Sequence, residues 1–314
     1  MPALITHHLF GEESVDRLPG GIVSSEEERI AFILGNQGPD PFFFRFRTPY
    51  IKNCMHLAQV MHRSRMTRQL EALRDGVSHL QPSDAGLGRA FALGLLSHYV
   101  LDRNAHPFVY EQQFGIMEAD PELDDAGSQV HAVIESDLDV LMLQLKRDGA
   151  TCATFPPAAE IVTTERVDRV AGALMSFIAS SVYGLDVPVG EYGGAVADMQ
   201  LLYRTIEPAG SIGVRALGAV EGLAGRYSLL ESLAHPVTAE APARTGNLGH
   251  LSWKNPFTGV GSQESFPEVF DRALDDYVTT AACFIEGSDL AGATRHVNYS
   301  GRVLDESEEW DTEE

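Results

Sequence analysis

The most informative segment of the chain is Ser97-His98-Tyr99-Val100-Leu101-Asp102-Arg103-Asn104-Ala105-His106-Pro107. In it, His98, Asp102 and His106 are spaced four residues apart. Four residues advance an α-helix by about 400°, so the three side chains would form a stripe along one helix face. Residues 91–96, just before this stretch, are apolar or glycine, which indicates a buried helix. A buried imidazole or carboxylate must pair with another group or bind a metal, because leaving it without a partner costs several kcal/mol.

A second pair with this spacing, His131 and Glu135, lies among Val130, Val133 and Ile134. A histidine and an acid four residues apart are most often an ordinary pair on an exposed helix face. Two such pairs, both with apolar neighbours and close together in the chain, favour a metal site over that simpler interpretation. Neutral imidazole and carboxylate are good zinc ligands, and a catalytic zinc commonly has three protein ligands and a water.

Helical periodicity also dominates outside these two segments, and alternating strand patterns are scarce. We therefore predict an all-α fold, a single multi-helix bundle with the metal site in its core. Pro41 should keep Asp40 extended, and the proline- and glycine-rich residues 236–263 should form a long irregular loop. The predicted domain covers residues 1–303, and the acidic residues 304–314 form a flexible tail. The predicted helices are at about 26–34, 54–76, 86–105, 126–147, 164–183, 192–206, 212–233 and 265–286.

The chain of 314 residues carries 45 acidic and 23 basic side chains, a formal net charge of −22. This excess of acid argues against general binding to nucleic acid or anionic membranes, because such binding needs Lys and Arg to neutralise phosphates. The three cysteines are far apart, so neither a disulfide framework nor a cysteine-rich zinc motif is expected. The first residues lack a secretory pattern, and no run approaches the roughly 18 apolar residues of a membrane span. We therefore expect a cytoplasmic protein.

The order of these motifs resembles the zinc-dependent bacterial phospholipase C family, whose all-helical fold is shared with the S1/P1-type nucleases. The resemblance rests on His-x3-Asp, a further His and then His-x3-Glu. Three earlier stretches are similar to the same family: Thr6-His7, the Gly-Pro-Asp loop that ends at Asp40, and the Met-His-Arg triplet that contains His62. Residues 251–259, around Trp253, resemble a Trp/Pro/Gly loop of some uncharacterised members.

The resemblance implies two or three Zn²⁺ ions, and it implies that Asp40 is both a ligand and the general base. The implied ligands are Asp40, His62, His98 and Asp102 for one zinc, His106, His131 and Glu135 for a second, and His7 together with Asp102 for a third.

The chain departs from the family pattern in two places. Secreted members begin with a Trp whose amine and carbonyl complete one metal site, and no Trp precedes His7 here. The third metal is then absent, weak, or completed by another group such as His8. The gap between Asp102 and His106 is also shorter than in well-known members, and Pro107 predicts that the helix ends there.

Two histidines compete for the position after Asp40. His56 and His62 lie on the same predicted helix, and six residues separate them by about 240° around its axis. They cannot both face one metal. The similarity of the Met-His-Arg triplet favours His62.

The expected function is a phospholipase C-like phosphoric-ester hydrolase in which a metal-bound hydroxide attacks phosphorus. Its substrate would be a small phosphoester or a phospholipid, and nucleic acid is not expected. Phe44, Tyr99 and Trp253 are candidates for the wall of a substrate cleft. Arg45 and Arg47 could hold a phosphate or balance acidic side chains. The alternatives are a helical protein that binds zinc without catalysis and a nuclease of the same fold.

Overall fold

The structure, a computed structural model, describes residues 3–221 and 227–310. The predicted all-α class is confirmed, since the regular structure of the described residues is helical apart from one short hairpin and one bridge. The α-helices are α1 Leu4–Val15, α2 Glu26–Gly35, α3 Ile51–Arg63, α4 Met66–Ser78, α5 Ala85–Ala119, α6 Gly127–Lys146, α7 Pro157–Glu160, α8 Glu165–Tyr183, α9 Gly190–Ile206, α10 Ile212–Glu221, α11 Leu229–Leu233, α12 Phe266–Glu286, α13 Leu290–Thr294 and α14 Glu306–Trp310. Short 3₁₀ helices lie at Asp40–Phe44 and Pro121–Leu123, and the hairpin pairs β1 Trp253–Lys254 with β2 Gly261–Ser262.

Helix α5 is the central element, and it packs against α1, α2, α4, α6 and α12. Helices α2 and α5 meet backbone to backbone because both carry a glycine where they cross. A Cβ on Gly94 would lie 2.0 Å from the carbonyl oxygen of Phe32, and Gly35 faces the α5 backbone in the same way. This close approach brings the end of α2 beside the predicted metal ligand His98, whose Nδ1 lies 3.2 Å from the carbonyl oxygen of Asn36.

Helix α5 continues through Pro107, so the helix end predicted there is wrong. Proline inside a helix costs about 3 kcal/mol, because it lacks an N–H and its ring crowds the carbonyl four residues earlier. Here Gly301 packs directly against the Pro107 ring and the Arg103 carbonyl, which is the group left without its helical N–H donor. Its backbone has a φ of +82°, and a Cβ on it would lie 2.3 Å from Cγ of Pro107 and 2.9 Å from the carbonyl oxygen of Arg103. The stripe that ends at His106 therefore lies on an unbroken helix of 35 residues.

The helix predicted at 54–76 is two helices, α3 and α4. The break comes at Arg65, whose φ of +61° is left-handed and ends the helical path. Behind the break, the carboxylate of Glu309 accepts the N–H groups of Met66 and Thr67 at 2.9 and 2.8 Å. A buried carboxylate thus stabilises the start of α4, where these donors have no partner within the helix.

The segment around Asp40 is a 3₁₀ turn and not the predicted extended chain. Pro41 occupies the second position of the turn, where its missing N–H is not needed. The N–H of Asp40 donates to Gln37 at 3.2 Å and that of Phe42 donates to Pro39 at 3.0 Å. Helix α1 was not predicted, and it places His7 on a helix.

The remaining predictions concern the carboxyl-terminal third. The helix predicted at 212–233 includes α10 and α11, and residues 222–226 lie outside the described part. Residues 236–263 are irregular except for the hairpin. The tail differs from the flexible segment that was predicted, because α14 packs on α4 and Glu309 is 1% exposed; residues 311–314 lie outside the described part. The limits of the domain stay a prediction. In the part of the chain that is described, no helix is long and apolar enough to cross a bilayer.

Candidate metal centre

Asp102 lies at the centre of a buried cluster of histidines and acids. The helical stripe on α5 places His98 Nε2 at 3.5 Å and His106 Nδ1 at 3.7 Å from Oδ2 of Asp102. Helix α1 adds His7, whose Nε2 is 3.1 Å from Oδ1 of the same carboxylate. The rings of His7 and His98 stack with their centroids 4.2 Å apart.

The second side of this cluster comes from α3 and the 3₁₀ turn. His62 directs Nε2 towards Asp40 Oδ1 at 3.1 Å and towards Asp102 Oδ2 at 3.8 Å. His56, six residues earlier on α3, is exposed. The structure thus brings His62, and not His56, to the cluster.

A second cluster, formed by His106 on α5 and by His131 and Glu135 on α6, lies next to the first. Oε1 of Glu135 lies 3.4 Å from His106 Nε2 and 3.2 Å from His131 Nε2. The spacing of four residues between His131 and Glu135 on α6 places both on the face that meets α5. Helix packing therefore combines two sequence motifs into one site.

All eight predicted ligands lie in three groups whose potential ligand atoms are within 4.8 Å of one another. The first two groups overlap at His98 and divide between them the four residues predicted for a single zinc, with His7 joining one of them. The third group matches the prediction for the second zinc. The groups are His7 with Asp40 and His98, His62 with His98 and Asp102, and His106 with His131 and Glu135.

The orientation of the imidazole rings fits a metal centre. In four of these histidines, Nδ1 lies next to a carbonyl or amide oxygen, so Nδ1 carries the proton and the lone pair of Nε2 points into the cluster. Nε2 of His98 is buried and has no hydrogen-bond partner among the described residues. The four contacts are His62 with Ala58 O at 2.6 Å, His98 with Asn36 O at 3.2 Å, His106 with Tyr299 O at 2.7 Å, and His131 with Gln113 Oε1 at 2.9 Å.

The electrostatics of His98, Asp40 and Asp102 favour the protonation states that bind zinc, whereas at His7 burial would lower the pKa of the imidazole but the contact with Asp102 raises it. Burial, together with the nearby His7 ring, lowers the pKa of His98 to about 3, so this imidazole is neutral at pH 7. Burial alone would raise the pKa of Asp40, but the imidazoles of His98 and His62 hold it below its usual range. For Asp102, burial is likewise outweighed by His106 and His98, and its pKa is well below normal. Neutral imidazole and ionised carboxylate are the ligand forms.

His106 behaves differently in the metal-free state. Burial would lower its pKa, but the carboxylates of Asp102 and Glu135 raise it to about 9. A metal at this position must therefore displace a proton, so its binding would weaken as the pH falls.

A cleft of about 410 Å³ opens onto these clusters. His62, His106 and His131 line it, so both the first and the second cluster face the same space. Arg63 is the only Lys or Arg among the described residues that line it. The cleft is also lined by Phe43, Gln59, Tyr110, Gln113, Ser128 and Ser300.

The three side chains predicted to contact substrate do not line this cleft. Phe44 is buried and packs against Tyr203, because the 3₁₀ turn directs Phe43 to the cleft instead. The hydroxyl of Tyr99 donates to the carbonyl of Val297 at 2.6 Å inside the core. Trp253 packs against Phe108 and donates from Nε1 to Glu264 O at 3.0 Å.

His8, Arg45 and Arg47, which the sequence left open as ligands of the third metal or of a phosphate, all contact acidic side chains. His8 lies outside the three groups, and its Nε2 is 3.7 Å from Glu12 and 3.4 Å from Glu160. Arg45 and Arg47 balance acids on α9. Arg45 pairs with Glu191 at 2.8 Å and with Asp198 at 2.7 Å, and Arg47 pairs with Asp198.

Sequence reasoning missed residues on both sides of the cleft. Tyr110 and Gln113 follow His106 by four and seven residues on α5, which is the spacing of one helix face. This spacing is visible in the sequence, but a helix that ends at Pro107, as predicted, would not include these two residues. Tyr299 and Ser300 come from an irregular segment near the carboxyl terminus, and no local pattern connects them to the site.

The model of the family described as zinc dependent phospholipase C matches residues 6–180 of this chain. Comparisons with curated proteins and with solved structures give no significant match. The matched segment is more than half of the chain, and it contains every histidine and acid of the three groups. The chain therefore belongs to the zinc-dependent phospholipase C family.

Proposed function

We propose that this protein is a zinc-dependent phosphoric-ester hydrolase that acts on a small phosphoester or a phospholipid. Family membership supports a hydrolase of the phospholipase C type. The observation that carries the proposal is that His62, His106 and His131 line one cleft, since a single phosphate could then reach both clusters. Zinc held by these groups would acidify water and neutralise charge on the phosphoryl oxygens.

The side chains around the cleft supply the remaining requirements of phosphoester hydrolysis. Arg63 offers a guanidinium to the phosphate oxygens. Phe43 and Tyr110 offer apolar walls for the ester groups. Asp40 is kept ionised, and its Oδ1 lies 3.1 Å from Nε2 of His62, which lines the cleft. From this position its carboxylate could align the attacking water and accept its proton as the bond from phosphorus to the leaving oxygen breaks.

The first test combines metal analysis with an assay on bis(p-nitrophenyl) phosphate. We expect two or three zinc ions per chain, hydrolysis that is lost on chelation, and recovery when zinc is restored. His131→Ala should remove activity, whereas the control His79→Ala, at an exposed position outside the clusters, should not. Fewer than one bound metal per chain, or full activity after chelation, would contradict the proposal.

Two rival functions have distinct outcomes in the same preparation. If the zinc ions are only structural, chelation lowers the melting temperature and no phosphoester is hydrolysed at any metal content. If the protein is a nuclease, it hydrolyses single-stranded DNA faster than phosphatidylcholine micelles. The formal charge of −22 supports a small or lipid substrate over a polyanion.

A further inference from the structure

A buried carboxylate outside the three metal groups lies one turn beyond Glu135 on α6. This residue, Asp139, is fully buried, and its two oxygens accept the N–H groups of Ile5 at 2.9 Å and Thr6 at 2.7 Å. These donors belong to the first turn of α1, directly before His7. Ala3, at the cap position of α1, has no side chain that could satisfy them.

The carboxylate of Asp139 is itself held by a second pair of buried side chains. Nε2 of His235 lies 3.0 Å from Asp139 Oδ2, and Nδ1 of the same ring lies 2.5 Å from Oε1 of Glu207. The backbone N–H of His235 also donates to Glu207, at 3.2 Å. His235 is 2% exposed. One imidazole therefore links two carboxylates in the interior, next to the start of α1.

We propose that Asp139 is a positioning residue for His7, and that His235 and Glu207 hold Asp139 in place. Helix α6 presents His131 and Glu135 to the second cluster, and through Asp139 it also fixes the first turn of α1. The same helix thus sets where His7 stands relative to both clusters. Asn36, whose side chain donates to the carbonyl of His7, limits α1 on the other side.

The geometry explains why this contact is more than a helix cap. Ile5 and Thr6 are buried, so water cannot replace the carboxylate as their acceptor. A shift of the first turn would move His7 Nε2 away from Asp102 Oδ1, which lies 3.1 Å from it. Contacts that orient a ligand from outside the metal site typically contribute about 10-fold to 100-fold in metal affinity.

The test uses the full chain with Asp139→Asn, and with Glu309→Gln as a matched control. Glu309 is an equally buried carboxylate that accepts two N–H groups at the start of another helix, α4. Zinc per chain and the Co²⁺ absorption spectrum report the metal. We expect Asp139→Asn to weaken one metal by at least about 10-fold and to leave the others bound. The control should leave all of them bound.

A double-variant comparison distinguishes positioning from general destabilisation. If Asp139 acts through His7, adding Asp139→Asn to His7→Ala causes no further loss of metal. Further loss in that background, or equal loss in Glu309→Gln, would overturn the proposal. Should Asp139→Asn fail to fold, His235→Gln removes the support of Asp139 while keeping its carboxylate, and the same weakening of one metal is expected.

The inference rests on the proposed role of His7 as a metal ligand, so a readout without metal is needed as well. In the metal-free protein, His7 is 3% exposed and should resist modification by diethylpyrocarbonate. Mass spectrometry should show faster modification of His7 in Asp139→Asn and no change in Glu309→Gln. If the wild type binds no zinc, the proposed function fails, and the modification rates alone decide the positioning role. Unchanged modification of His7 in Asp139→Asn and in His235→Gln would refute it.

Discussion

The side chain of Gln113 accepts a hydrogen bond from Nδ1 of His131 at 2.9 Å, so it decides which ring nitrogen faces the proposed zinc. Gln113→Leu removes the acceptor and frees the ring to rotate. We expect about 10-fold to 100-fold weaker zinc binding, measured by competition with a chromogenic chelator. The neighbouring Gln112 bonds Thr245 instead, so Gln112→Leu should leave zinc affinity unchanged. Equal effects of the two substitutions would refute this role.

Arg63 is the side chain that we expect to bind the phosphate of the substrate. It is exposed at the cleft and offers its guanidinium without competing for a metal. Arg63→Gln should raise KM for bis(p-nitrophenyl) phosphate about 10-fold, which corresponds to about 1.4 kcal/mol, with a smaller change in kcat. Lys52, exposed at the start of the same helix, is the control, and Lys52→Gln should change neither constant. A KM unchanged in Arg63→Gln would exclude a direct contact with the phosphate.

Among the helices, some parts of the site could be predicted from local residue spacing, and other parts depend on contacts between residues remote in sequence. The stripe His98, Asp102 and His106 and the pair on α6 were predictable because a helix repeats every 3.6 residues. The course of α5 beyond Pro107 was not, because Gly301, which accommodates that proline, is remote in sequence. Tyr299 is also remote in sequence, so its contact with His106 could not be predicted. Gln113 follows His106 at helical spacing, and only the wrong helix end at Pro107 kept that relation from being predicted.

The stability of the fold should depend on the close backbone contact between α2 and α5 at Gly94. Gly94→Ala would place a Cβ 2.0 Å from the Phe32 carbonyl, so the helices must separate. We expect a loss of at least about 2 kcal/mol in the free energy of unfolding, measured with urea. Gly115, on the exposed end of the same helix, has no atom within 4 Å of a Cβ position. Gly115→Ala should stabilise by about 0.5–1 kcal/mol. Similar stability of the two variants would contradict the close crossing.

Across the whole molecule, the described acidic side chains fall into a buried group and an exposed group. Some carboxylates are in the interior, where Asp40, Asp102 and Glu135 face imidazoles and Asp139 fixes a helix. The exposed carboxylates of the described residues form a charged surface that argues against binding polyanions. The sequence alone could not separate the two, because burial depends on packing. Phosphate chemistry is compatible with this acidity, since bound metals would supply the positive charge that the few basic residues do not.

The stability of the whole fold should depend on pH through His235. Burial would lower the pKa of this imidazole, but its hydrogen bonds to Asp139 and Glu207 raise it to about 9, against an ordinary value of 6.5. A folded-state pKa above the unfolded value stabilises the protein fully below pH 6.5, and this stabilisation is lost as the pH rises through 9. The shift corresponds to roughly 3 kcal/mol, because each unit is worth about 1.4 kcal/mol.

The measurement is urea unfolding of the metal-free wild type and of His235→Gln at several pH values. Glutamine keeps one donor but carries no charge, so it cannot link both carboxylates as the imidazolium does. We expect the wild type to be more stable than the variant at pH 6, and the difference to shrink by roughly 3 kcal/mol by pH 10. Titration of other groups, His106 included, affects both proteins and cancels in this difference. A difference that is constant or grows with pH would show that His235 is not charged in the folded state, and that Asp139 is held by a neutral ring.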